Sequence, residues 1–196
     1  MSKEGPIDIM KPGIWGHVTI RDSSTGEILL DMDNSIHFEN FSVAVARSLA
    51  GQTSGFINTL AFGNGGSMVD GVGDITYLPP NTTGMTSTLY NQTYEKTGLS
   101  TSITGTSAFD PQNTIDVNHM GGTIYSDMIF LVTMDYGEPS DQNVMDNGSL
   151  SDLYVFDEMG LISSDGHLLS HVIFNPIQKS LNRKIEIEYT VRIAML

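Results

Sequence analysis

The stretch FNPIQKSLNRKIEIEYTVRI, Phe174 to Ile193, decides the fold. From Ile185 onward, apolar and polar side chains alternate strictly. Ile185, Ile187, Tyr189, Val191 and Ile193 share one parity; Glu186, Glu188, Thr190 and Arg192 share the other. A period of two is a strand with one face buried and one face wet. Just before it lie Lys179, Arg183 and Lys184, a basic hem on a chain of net charge −14.

The pattern spreads to the rest of the chain. Ile14, Val18 and Ile20 alternate with Trp15, His17, Thr19 and Arg21. DSSTGE, Asp22 to Glu27, reads as a turn, with Gly26 free to take positive φ. ILLDMD returns as a second strand, so the pair is a hairpin. NFSVAVARSLAG reads as the one helix, capped by Asn40 and ended by Gly51. GFINTLAFGNGG is a strand running into a glycine turn. TIYSDMIFLVTMDY, apolar from Met128 to Val132, reads as a central strand covered on both faces. LYVFDEMGLIS and HLLSHVIF form a second hairpin around Ser164–Gly166, stopped at Pro176.

Strands with turns between them and one helix predict a mainly β fold: an antiparallel β-sandwich, jelly-roll-like, with a long irregular insertion. Residues 1–12 read as an N-terminal arm. Residues 13–196 read as one domain whose insertion, 67–122, is polar and poor in charge. An excursion of that length orders either as a functional loop or as strands pairing with a neighbour.

Composition narrows the function classes. With 196 residues, a core can form without staples. There is no cysteine, so disulfides and thiolate metal sites are excluded. No apolar run is long enough to cross a membrane as a helix, and Met1–Lys11 carries no secretory pattern. Between Ser48 and Gln178 there are fourteen acids and one base, Lys96. Direct nucleic-acid binding is not expected of such a chain, since phosphate contacts need clustered Lys and Arg.

Motifs for chemistry fail one by one. FGNGGS lacks the Lys and hydroxyl of a phosphate loop, and Gly63, Gly65 and Gly66 read instead as a strand-ending turn using unusual φ. His167 and His171 lie four apart on a strand, roughly 13 Å, too far for one ion. DMDNS at Asp31 lacks the glycine and glutamate of a calcium loop, and DQNVMDNGSLSD at Asp141 fails likewise. Asp157 and Glu158 are adjacent, so a regular strand sends them to opposite faces. No serine sits in a Gly-x-Ser-x-Gly elbow. No catalytic residue, metal site or cofactor is predicted.

Two stretches resemble a known class. FINTLAFGNGGS is similar to an apolar strand with a Gly-x-Gly-Gly ending in virion proteins of tailed bacteriophages. YVFDEMGLISSDGHLLSHVIF resembles the Glu-x-Gly-Leu, turn, Asp-Gly hairpin of phage baseplate and tail-fibre-attachment proteins, and the last long strand fits the same class. The resemblance implies a non-enzymatic structural protein in the tail, neck or baseplate, made in the host cytoplasm and carried in the virion. It implies partners among other virion proteins and copies of itself, with neither nucleic acid nor membrane contacted directly. Glu158, Gly160 and Leu161 would then set the shape of the hairpin.

Arms and loops exchanged between copies suit such a role. Lys179, Arg183 and Lys184 are expected to pair with Asp135, Glu138, Asp141 and Asp146 of the next copy. The alternatives are a head-decoration protein clamped on the major capsid protein, a host carbohydrate-binding module, and a hydrolase with an unrecognised site. Trp15, the single tryptophan, reads as buried beside His17, which disfavours the sugar-binding reading.

Overall fold

A computed structural model describes residues 12–101, 113–140 and 154–195. Its strands are β1 (Pro12–Asp22), β2 (Ile28–Ile36), β3 (Ile57–Gly63), β4 (Ser67–Val69), β5 (Ile75–Tyr77), β6 (Gln92–Thr97), β7 (Ser100–Thr101), β8 (Asn113–Asn118), β9 (Tyr125–Met134), β10 (Val155–Ser163), β11 (Leu168–Gln178) and β12 (Ile185–Met195). The helix α1 covers Phe38–Leu49.

The protein is mainly β, built as an antiparallel sandwich. Hydrogen bonding runs continuously in the order β6-β3-β10-β11-β2-β1-β12-β9-β8-β7, with β7 alone parallel to its neighbour. β2 makes the corner. Its Leu30–Asn34 stretch pairs with β1 in one layer, and Ser35–Ile36 pair with His171–Ser170 of β11 in the other. The two layers are therefore one sheet folded over.

β12 sits between β1 and β9 and buries one face, as its alternation predicts. Tyr189 stands opposite both Val18 and Phe130, and Ile187 opposite Ile20 and Val132. These side chains are buried, while Glu186 and Glu188 are exposed. The facing layer supplies Leu60, Phe62, Met159, Leu161 and Val172 to the same core. Each such side chain, once buried, contributes about 1.5–3 kcal/mol.

Several expectations need correction. β9 is central in its pairing but not covered on both faces: Phe130, Val132 and Met134 point into the core, whereas Leu131 is 41% exposed. β11 does not stop at Pro176; it runs to Gln178. Register slips there, because Phe156 faces Ile177 while Glu158 faces Ile173. A bulge is where a strand tolerates a residue with no N–H to donate. Pro12, expected in the N-terminal arm, belongs to β1 and pairs with Met195; residues 1–11 lie outside the described residues.

The helix also starts earlier than its sequence suggests. His37 is the N-cap: its Nδ1 accepts from the Asn40 N–H at 3.2 Å, and its own N–H donates to Leu169 O. Asn40 is inside the helix, donating from Nδ2 to Leu168 O at 2.9 Å. Gly51 follows the helix with φ +67, as predicted.

The described parts of 67–122 form strands that pair within the subunit. β4 and β5 form a small hairpin, β6 extends one layer beside β3, and β8 extends the other beside β9.

Candidate functional site

Three places gather the residues that sequence reasoning singles out. The first is the outer face of the β3–β10–β11 layer. Gly160 pairs with Ala61 on one side and His171 on the other, and Glu158 pairs with Gly63. The segment from Asn81 to Tyr90 is tied across this face at both ends, by Asn81 to His171 and by Tyr90 to Glu158. Leu89 packs there with Ala61 and Leu168.

Glu158 and His171 hold that segment down by its backbone. Glu158 Oε1 accepts the N–H groups of Gly65 (3.1 Å) and Asn91 (2.7 Å). Its Oε2 accepts the Tyr90 N–H at 2.9 Å and meets His171 Nε2 at 3.0 Å. His171 Nδ1 accepts the Asn81 N–H at 2.8 Å. That bond leaves the ring proton on Nε2, facing the carboxylate. Burial works against ionisation of Glu158. The His171 bond and the three N–H groups outweigh it, holding the carboxyl below its ordinary range.

Asp157 works beside it. Oδ1 accepts the Gly66 N–H at 2.9 Å, and Oδ2 accepts the Ser67 N–H and hydroxyl at 2.8 and 2.5 Å. Both carboxylates reach one glycine loop, where a regular strand would separate them, and the β10–β11 register breaks at the same point. The loop does present its N–H groups to anions, and the anions are its own chain's side chains.

Gly63, Gly65, Gly66 and Gly160 do not take positive φ. They are needed for close approach. A Cβ on Gly65 would meet Asn91 N at 2.8 Å, one on Gly66 would meet Asp157 O at 3.0 Å, and one on Gly160 would meet Ser170 O at 2.6 Å. Leu161 points the other way, into the core against Leu60. The shape-determining set thus converges, with Leu161 on the opposite face. Glu158 and His171 are fully buried, so the pair is closed to substrate.

The second place is the basic hem. Lys179 is 1% exposed and cannot meet another subunit. Its Nζ donates to the carbonyls of Asp135 (3.0 Å), Glu138 (2.6 Å) and Ser180 (3.0 Å). Burial lowers the Lys179 pKa against the pull of Glu138 and Asp135. Lys96 bonds the Glu138 carboxylate, Lys184 lies 3.7 Å from Asp135, and Arg183 Nε bonds Asp22 at 2.7 Å. The expected pairing of opposite charges therefore occurs inside one chain. Asp141 and Asp146 lie outside the described residues.

The third place is one end of the sandwich, where α1 stands off from the strands. An apolar groove of about 660 Å³ opens there. Phe41 and Val45 of the helix, Leu99, Ile115, Phe130 and Ile193 are among its lining. Its rim is wetter than such side chains favour: Leu49 is 86%, Phe56 52% and Val117 61% exposed.

On the outer face of the β1–β12 layer, Trp15 is 45% exposed, contrary to expectation. It stands opposite Arg192, which lies over the Tyr125 ring and forms a two-bond pair with Asp127 at 2.6 and 2.7 Å. His17 bridges Asp31 and Asp33 on the same face, with both ring nitrogens used. His167, predicted too far from His171 to share an ion, meets Met85 O instead.

Sequence reasoning missed the groove because its lining comes from seven separate segments. It missed the anchoring role of Asp157 and His171 because their partners are backbone groups some ninety residues away. Compared with family models, with curated proteins and with solved structures, the chain matches none.

Proposed function

We propose that this chain is a non-enzymatic structural protein of a tailed-phage particle. It works by repeated contacts with copies of itself and with other virion proteins in the tail, neck or baseplate. The observation that carries the reading is the apolar end of the sandwich, where Leu49, Phe56 and Val117 stand exposed around the groove. Large apolar side chains clustered at a surface mark a face that another polypeptide covers.

The resemblance of two sequence stretches to phage proteins supplies the kind of particle. Those stretches are neighbours in space: β3 and its glycine loop pair with β10, and Glu158 ties them together. The carboxylates and histidine that would suit catalysis there are spent on holding backbone.

Mass spectrometry of purified particles from cells making this protein tests the reading. Its presence in a ring of about six or twelve copies is the expected result for a tail, neck or baseplate component. Absence from the particle overturns it. A copy number on the order of hundreds would point to head decoration instead. Exposed Trp15 beside Arg192 favours glycan binding as a second reading, since sugars stack on open aromatic faces. A glycan array read by Trp15 fluorescence distinguishes it.

A further inference from the structure

We infer that the apolar groove under α1 is the acceptor for residues 1–11 of a neighbouring copy. The inference rests on the assembly reading above and gives it a specific contact.

The groove is a site in search of apolar side chains. Its lining is almost wholly hydrocarbon, and its rim residues Leu49, Phe56 and Val117 face water. The segment 1–11 offers what is missing. Ile7 and Ile9 sit two apart, so an extended run would present both on one side, with Met10 next to them.

The point of departure fits. Pro12 pairs with Met195 and Ile14 with Ile193, and Ile193 lines the groove. Arm root and acceptor therefore share one end of the sandwich. Copies that meet at that end can exchange arms reciprocally or around a ring. Eleven residues reach at most about 40 Å when extended, enough to cross an interface and enter the facing groove.

The direction of departure favours the neighbour over the chain's own groove. A residue preceding proline disfavours the helical region, so the sequence at Lys11–Pro12 favours continuing the line of β1 off the body. Returning to the same subunit would require a reversal within a few residues.

The absence of cysteine makes the test clean. Full-length Ile9→Cys chains are mixed with full-length Val117→Cys chains under mild oxidation, and the disulfides are mapped by mass spectrometry. Val117 is on the groove rim. The control acceptor is Ile124→Cys, which is exposed and bonded to Met195 near the arm root but lies outside the groove lining. The expected result is an Ile9–Val117 cross-link between chains, forming about tenfold faster than the Ile9–Ile124 one because docking raises effective concentration. Adding Ile7→Asp to the arm should abolish that preference.

Equal rates for the two acceptors overturn the inference. So does a doubly substituted chain that closes only within itself. Sedimentation of the unsubstituted chain separates the two levels. A chain that assembles without arm capture sinks the inference and leaves the assembly reading standing; one that stays monomeric and is absent from particles sinks both.

Discussion

The Tyr189 hydroxyl and the Ser170 hydroxyl meet at 2.7 Å in the middle of the core, one from each layer of the sandwich. Asn34 on the corner strand donates to the same phenol. The phenol is fully buried, and burial pushes its pKa up to about 12 despite both hydrogen bonds. Above pH 10, the unfolded chain ionises this tyrosine and the folded chain does not, so stability falls as pH rises. Between pH 10 and about 12, this group should cost about 1.4 kcal/mol per pH unit. Tyr189→Phe should show a shallower alkaline decline in urea titrations, with a loss of about 1 kcal/mol at neutral pH for the lost hydrogen bonds.

Glu158 governs the acid side. Its carboxyl is depressed in the fold, so its contribution is fully present above the ordinary value of 4.5 and is lost as pH falls through the lower folded value. Glu158→Ala should destabilise by about 3–5 kcal/mol, because it strands buried His171 together with three part-buried N–H groups. Urea titration from pH 7 down to pH 3 checks both points. A variant whose acid decline matches that of the parent would refute the assignment.

Gly160→Ala should cost about 1–3 kcal/mol, since the new methyl meets the Ser170 carbonyl, which is backbone and cannot move aside cheaply. Gly71→Ala is the matched comparison. It has open space around it and ordinary φ, so its thermal midpoint should stay close to the parent's.

Lys179→Met keeps the volume of the side chain and removes the ammonium from three carbonyls. A loss of about 1–3 kcal/mol is expected from the three lost charged bonds, although the Asp135 and Ser180 carbonyls keep the N–H groups of Glu138 and Arg183. Hydrogen exchange should accelerate first at Gly137, whose N–H bonds Leu181 O beside the lysine. Unchanged exchange at Gly137 would show that the ammonium does not organise the turn.

Arg183→Glu should lower the thermal midpoint of the isolated subunit, because its partner Asp22 is in the same chain. A normal midpoint with failed assembly would return Arg183 to an intersubunit role.

The sequence is most legible where structure is local or periodic. β12 shows its buried face residue by residue, and the turn at Gly26 and the helix stop at Gly51 are both where their glycines indicate. Legibility fails where a distant segment changes the local rule. Pro176 lies inside a strand because a bulge opposite Asp157 absorbs it. His37 caps the helix although its residue type is not a preferred cap, since Gly84 O fixes its other nitrogen at 3.1 Å. Glycines 63, 65 and 66 suggest unusual φ, yet what they provide is room for Glu158, Asn91 and Asp157. The basic hem suggests an intersubunit surface, yet loops that fold against it neutralise it within the chain.

The corner strand β2 joins the two layers through two residue pairs, Ser35 with His171 and Ile36 with Ser170. The ladder that runs from β6 around to β8 is therefore narrowest at the corner. The β6 margin carries Glu95 and Lys96, the latter clasped to Glu138. A sheet folded in this way has its hinge at β2: backbone bonding passes a pull on one layer to the other through those two pairs, and the packed core carries the rest.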